Sequence, residues 1–86
     1  MSGPPEVVFY YRDGCHLCEE MAAFLFRHWP EVAGAMVWRD VDADPTAAAR
    51  YGDQVPVLER GAEVVCRYAV EPAALVSYFG EPVNPV

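Results

Sequence analysis

Two cysteines separated by two residues, Cys15 and Cys18, are the side chains in this sequence best suited to chemistry. They lie between a short β-forming run, Val7–Tyr11, and a long stretch with helical periodicity, so Cys15 falls at the start of a predicted helix. At that position its sulfur meets unpaired backbone N–H groups and the positive end of the helix dipole, which favour the thiolate. We therefore predict that Cys15 is the nucleophile and that Cys18 resolves a mixed disulfide formed on it.

A metal site is the alternative use for such a pair. A zinc site needs about four ligands, and the remaining candidates in this chain are Cys66, His16 and His28. Redox exchange is therefore favoured, and no metal is predicted. His16 is interpreted either as an imidazolium that stabilises the thiolate or as an exposed residue of the first helical turn. Cys66 is interpreted either as a small apolar side chain in a strand or as a third thiol near the dithiol.

The elements around the dithiol follow from periodicity and from capping residues. The first helix buries residues at helical spacing and ends near Trp29-Pro30, with Gly34 in the following loop and a strand over 35–41. Aromatic side chains are expected in the core, namely Tyr10, Phe24, Phe26, Trp29 and Trp38.

The second half of the chain reads as a short helix, a hairpin and a last helix. Asp44-Pro45 caps and opens the short helix, and Gly52 ends it. Strands over 55–59 and 63–68 flank a Gly-containing turn, and a final helix runs from Pro72 to Gly80. Residues 81–86 are predicted to be a disordered tail. The order β-α-β-α-β-β-α predicts an α/β domain over 1–86 with a four-stranded mixed sheet.

Composition limits the partners. With 86 residues, the chain forms one small domain. Its formal net charge of -7 disfavours binding to the negatively charged phosphates of nucleic acids. We expect no nucleic acid and no membrane as partners, because the chain has no apolar run of roughly 18 to 20 residues and its N-terminus does not read as a signal peptide. The expectation is a monomeric cytoplasmic protein, where three cysteines argue for a catalytic or metal-binding use rather than a disulfide framework.

Element order, the Cys-x-x-Cys pair at the start of the first helix and Val55-Pro56 at the third strand together resemble glutaredoxin-like proteins of the thioredoxin superfamily over about residues 6–80. The resemblance implies a thioredoxin-like fold and a thiol–disulfide oxidoreductase that reduces protein or glutathione mixed disulfides. It also implies a cis peptide bond at Pro56 facing the dithiol, and a Val55 backbone that pairs with bound peptide or glutathione. A metal or iron–sulfur binding module and a redox-inert adaptor are the alternatives.

Further substrate-binding residues are assigned by the same resemblance. Arg12 stands at the family's basic position three residues before the nucleophile, where it is interpreted either as a contact for the glutathione carboxylate or as a solvated loop charge. After the first cysteine the family carries a proline and then an aromatic residue, where this chain has His16 and Leu17. At the second motif the family reads Thr-Val-Pro, where this chain has Gln54 before Val55-Pro56. Arg67 falls where the family carries a Gly-Gly that holds glutathione. The expected partners are protein disulfides or a reductase, with no tightly bound cofactor, and glutathione is a weak co-substrate at most.

Overall fold

The computed structural model describes residues 5–86, so the first four residues of the predicted domain lie outside the described residues. Its strands are β1 Val7–Tyr11, β2 Val37–Asp40, β3 Val57–Arg60 and β4 Glu63–Arg67. Its helices are α1 His16–His28, α2 Pro30–Ala35, α3 Pro45–Tyr51 and α4 Pro72–Phe79. None of these helices has the length and apolar character needed to cross a membrane.

The strands form one four-stranded sheet in the order β2-β1-β3-β4. β1 and β2 are parallel, and β3 is antiparallel to both β1 and β4. The crossover through α1 explains the parallel pair, and the turn at Gly61, which has a φ of 62°, closes the β3–β4 hairpin. The predicted α/β architecture with a mixed sheet is confirmed.

Each face of the sheet is covered by helices. Alternation along β1 directs Phe9 to one face, where α1, α2 and α4 build the larger apolar cluster around it. Val8 and Tyr10 point to the other face and pack with Ala47 and Tyr51 of α3. The N-terminal end of α1 therefore emerges from the larger core at the edge where β1 ends.

Helix α2 was not predicted from the sequence. Pro30 does follow the end of α1, as expected, but it also occupies the first turn of a new helix, where proline needs no N–H donor. Gly34 consequently lies in a helix rather than in a loop.

The C-terminal segment contains no helix or strand, and it lies against the end of α1. The Val83 N–H donates to the carbonyl of His28 at 2.9 Å, and the Asn84 amide donates to the carbonyl of Arg27 at 2.7 Å. These bonds satisfy carbonyls that the last helical turn leaves without partners. His28 is buried here, with Nδ1 3.0 Å from the Asn84 carbonyl.

Candidate functional site

Cys15 is the N-cap of α1, as predicted. Its sulfur accepts a hydrogen bond from the N–H of Cys18 at 3.1 Å, so it satisfies one of the free donors of the first helical turn. The turn that leads into the cap is closed by a bond from the Cys15 N–H to the Arg12 carbonyl and passes through Gly14 at a φ of 77°. Cys15 and Cys18 are joined in a disulfide with their Cα atoms 5.2 Å apart.

The two cysteines differ in exposure. Cys15 is partly exposed, whereas Cys18 is 4% exposed and belongs to the larger apolar cluster with Met21 and Leu25. Cys15 is thus the more exposed residue of the pair. The division of roles between an attacking and a resolving cysteine stays a prediction.

The residues between the cysteines point to solvent. The His16 side chain is 86% exposed, and its Nε2 lies 3.9 Å from a carboxylate oxygen of Glu20 one turn along α1. The imidazole is thus an exposed first-turn residue paired with Glu20. Leu17 is 48% exposed and presents an apolar side chain beside the dithiol.

Arg12 is engaged within the protein. Its Nε and Nη2 donate to the two carboxylate oxygens of Asp42 at 2.9 and 3.0 Å, and its Nη1 donates to the Gly52 carbonyl at 3.1 Å. The hydrogen bond from Arg12 lowers the pKa of Asp42, and the same contact raises the pKa of Arg12. The guanidinium therefore ties the end of β1 to the loop after β2 and to the end of α3, and three of its five donors are directed at internal acceptors.

The segment around Pro56 connects α3 to β3. The Val55–Pro56 peptide bond is cis, as the resemblance implied. The predicted strand at 55–59 begins only at Val57, because Val55 and Pro56 lie beyond the register that β3 shares with β1. Gln54 accepts a hydrogen bond from Arg67, so the structure brings together two of the predicted substrate-binding residues.

Tyr68 follows β4 in the region that replaces the family's glycines. Its φ of 69° lies in the left-handed region that glycine adopts without steric strain. Its N–H donates to the Pro56 carbonyl at 2.8 Å, which fixes the Pro56 segment against the end of β4. Tyr68, which is 49% exposed, therefore adopts a backbone conformation that normally favours glycine.

Cys66 is a free cysteine in β4 with 2% exposure. Burial raises the pKa of its thiol above the ordinary 9.0. It packs in the same apolar cluster as Cys18 and is a small apolar side chain of the core.

A buried carboxylate lies on the α3 side of the sheet. Glu59 in β3 is 5% exposed and accepts hydrogen bonds from Tyr51 at 2.6 Å and Tyr10 at 3.3 Å, with Arg50 at 3.7 Å. Burial and the contact with Glu59 raise the pKa of both tyrosines. The cluster fastens the end of α3, and hence the start of the segment that leads to Pro56, to the sheet. The alternation of residues along β3 does not by itself predict that Glu59 is buried, because helices cover both faces of this sheet.

Two aromatic residues expected in the core are half exposed. Phe26 and Trp38 have 48% and 47% exposure, because β2 is an edge strand and nothing in residues 5–86 covers its outer side. Trp38 instead borders a cavity of about 330 Å³ that reaches Gly14 and Cys18. Sequence reasoning did not identify this cavity. The only sequence signal for it is a tryptophan in an edge strand.

Two aspartates that follow β2, Asp42 and Asp44, have structural roles. Asp42 binds Arg12, and Asp44 caps α3 through the N–H groups of Thr46 and Ala47. Across residues 5–86 no group of three or more His, Cys, Asp or Glu side chains is arranged to hold a metal ion.

Comparison with known proteins connects this geometry to a family. The Glutaredoxin-like domain (DUF836) family matches residues 6–79. The chain is also similar to the solution NMR structure of protein Ne2328 from Nitrosomonas europaea, with 30% identity and a TM-score of 0.66 over 91% of this chain and 94% of that one. No curated protein matches the chain. The helix-capping dithiol, the mixed sheet and the family match together establish that the chain belongs to the glutaredoxin-like domain family.

Proposed function

We propose that this protein is a thiol–disulfide oxidoreductase in which Cys15 attacks the substrate and Cys18 resolves the intermediate. The observation that carries the proposal is the cap geometry: Cys15 is partly exposed and its sulfur accepts the Cys18 N–H at 3.1 Å, while Cys18 is buried. A helix N-terminus stabilises a sulfur anion in that position.

The reaction is an exchange of two electrons and two protons. The Cys15 thiolate attacks one sulfur of a substrate disulfide, that S–S bond breaks, and the departing substrate thiolate takes up a proton. Cys18 then loses its proton and attacks the Cys15 sulfur, which releases the second substrate thiol. The substrate is reduced, and the protein is left with the Cys15–Cys18 disulfide that the structure contains.

The electron donor that reopens this disulfide is proposed to be a dithiol protein or reductase rather than glutathione. Arg12 donates to Asp42 and Gly52, and Arg67 donates to Gln54, so both cationic side chains have internal partners. Tyr68 adds a side chain where the family's glycine lets backbone approach the ligand. A cytoplasmic location, which the composition led us to expect, would provide such donors.

Cysteine variants test the proposal. The reduced protein is mixed with a short peptide whose cysteine is in a mixed disulfide with 2-mercaptoethanol, and the products of a single turnover are separated and weighed by mass spectrometry. Cys15→Ser should abolish reduction, Cys18→Ser should accumulate a covalent complex with the peptide, and Cys66→Ala should react like the wild type. Reduction that persists in Cys15→Ser refutes the assignment.

The donor is tested separately with S-methylglutathione, which keeps the shape of glutathione but cannot reduce the protein. Titration of the oxidised protein should produce no saturable chemical-shift changes at Arg12, Val55 or Arg67. Saturable binding localised to these residues would contradict the proposed preference for a dithiol donor and leave the dithiol mechanism standing.

A further inference from the structure

An aromatic cavity opens directly beside the dithiol. It has a volume of about 330 Å³, its walls include Phe9, Tyr11 and Trp38, and it is also lined by Gly14 and Cys18. Ligand sites in proteins have volumes of roughly 300 to 1,000 Å³, so the cavity can hold one large side chain. It lies between α1 and the β1–β2 edge, and neither Val55 nor Pro56 lines it.

Trp38 is held rigidly but remains accessible. Its ring meets Phe9 edge-on with the centroids 4.9 Å apart and meets Tyr11 edge-on at 5.5 Å. Phe26 stacks near it at 6.5 Å. With three rings fixing its orientation and 47% of its surface exposed, Trp38 offers an aromatic face that needs no reordering to bind a ligand.

The rim of the cavity is acidic. Asp13 and Glu19 line it, and neither forms an ion pair with any residue in 5–86. The one cation in the lining, Arg12, is neutralised by two hydrogen bonds to Asp42. The local charge is therefore negative, in keeping with the formal net charge of -7 for the whole chain.

We propose that this cavity binds an arginine or lysine side chain of a protein substrate, next in sequence to the cysteine that Cys15 attacks. The inference rests on the proposed redox function and names its substrate class, a basic segment that carries a disulfide. The aliphatic stem packs on Tyr11, the cationic head lies over the Trp38 ring, and Asp13 and Glu19 complement its charge. Arginine suits the site best because its planar guanidinium stacks on aromatic faces.

The position of the cavity matches the chemistry. Gly14 and Cys18, which lie on either side of Cys15 in the chain, line the cavity, whereas Cys15 itself does not, so the cavity lies beside the dithiol. Consecutive Cα atoms are about 3.8 Å apart, which brings the side chain flanking a cysteine bonded to Cys15 to the cavity mouth. Binding there holds the substrate while Cys15 displaces its leaving thiolate and Cys18 then releases the reduced cysteine.

Matched peptides measure the preference. Three peptides with one cysteine in a mixed disulfide with 2-mercaptoethanol differ only in the residues flanking that cysteine, which are arginine, norleucine or glutamate. Reduced protein should react about tenfold faster with the arginine peptide than with the norleucine peptide, and slowest with the glutamate peptide.

Asp13→Asn combined with Glu19→Gln should reduce the ratio of the arginine-peptide rate to the norleucine-peptide rate below about threefold. Glu31→Gln, which removes an exposed charge from α2 outside the cavity, should leave the ratio unchanged.

The outcomes separate this proposal from the proposed function. If all three peptides are reduced through Cys15 at equal rates, or if the arginine preference survives the Asp13→Asn and Glu19→Gln changes, the cavity assignment is wrong and the oxidoreductase stands.

If no peptide is reduced, the redox function fails, and the cavity is judged by binding alone. In that measurement, oxidised protein is titrated with the arginine and norleucine peptides carrying serine in place of cysteine. The Trp38 indole resonance should shift with the arginine peptide only, and equal or absent shifts overturn the proposal.

Discussion

Removing one hydroxyl from the buried Glu59 cluster should destabilise the protein strongly. Tyr51→Phe leaves the ring in place but deletes the 2.6 Å hydrogen bond to Glu59, a residue that is only 5% exposed. Tyr10 at 3.3 Å and Arg50 at 3.7 Å are longer contacts that replace the lost donor poorly. We therefore expect the loss of most of the stabilisation from one hydrogen bond to a charged acceptor.

Hydrogen bonds to charged groups contribute about 1.5 to 3 kcal/mol. With a urea m-value of about 1 kcal/mol per molar, the unfolding midpoint of oxidised Tyr51→Phe should fall by about 1.5 to 3 M. Tyr78→Phe is the matched control, because the Tyr78 hydroxyl donates at 3.1 Å to an exposed Glu63 carboxylate. The midpoint of that control should stay close to the wild-type value.

The pH dependence of unfolding provides a second measurement of the same cluster. The folded-state pKa of Tyr51 is raised above its ordinary 10.0 by burial and by the hydrogen bond to Glu59. The contribution of the Tyr51 hydroxyl to the free energy of unfolding is therefore complete below pH 10. It is lost as the pH rises through the folded-state pKa. The stability of Tyr51→Phe should fall less steeply above about pH 10 than that of the wild type.

Two results would refute this reasoning about Glu59. One is a Tyr51→Phe midpoint within the range of the Tyr78→Phe control at an unchanged m-value, which would mean that the Glu59 carboxylate does not depend on the Tyr51 hydroxyl. The other is an alkaline loss of stability as steep in Tyr51→Phe as in the wild type.

Two further predictions concern β4 and the residue that follows it. Tyr68→Gly should be more stable than Tyr68→Ala by about 1 kcal/mol in urea unfolding, because alanine keeps the Cβ that disfavours a φ of 69°; equal stabilities would contradict a left-handed Tyr68. In the reduced protein near neutral pH, iodoacetamide should alkylate Cys15 first and leave Cys66 unmodified until the protein unfolds, because burial raises the pKa of Cys66 and blocks access to it. Mass mapping of the labelled protein checks the order, and early labelling of Cys66 would contradict its place in the core.

The sequence by itself determined the features that depend on local chemistry. Asp44-Pro45 and Gly52 bound α3 because capping and stop signals act within a few residues. Cys15 lies at the cap of α1 for the same reason. Pro30 was the exception, since a proline that follows one helix is equally suited to open the next.

Only the tertiary structure decided which distant side chains meet. Arg12 binds Asp42 from 30 residues away, and Tyr10 reaches Glu59 across 49 residues. Both pairs depend on how the strands and α3 are placed in space, which no local pattern encodes. Trp38 is accessible beside the dithiol because β2 is an edge strand, and Glu59 is buried because α3 covers the second face of the sheet. Sequence spacing therefore located the Cys15–Cys18 pair, whereas strand order and helix packing determined what surrounds it.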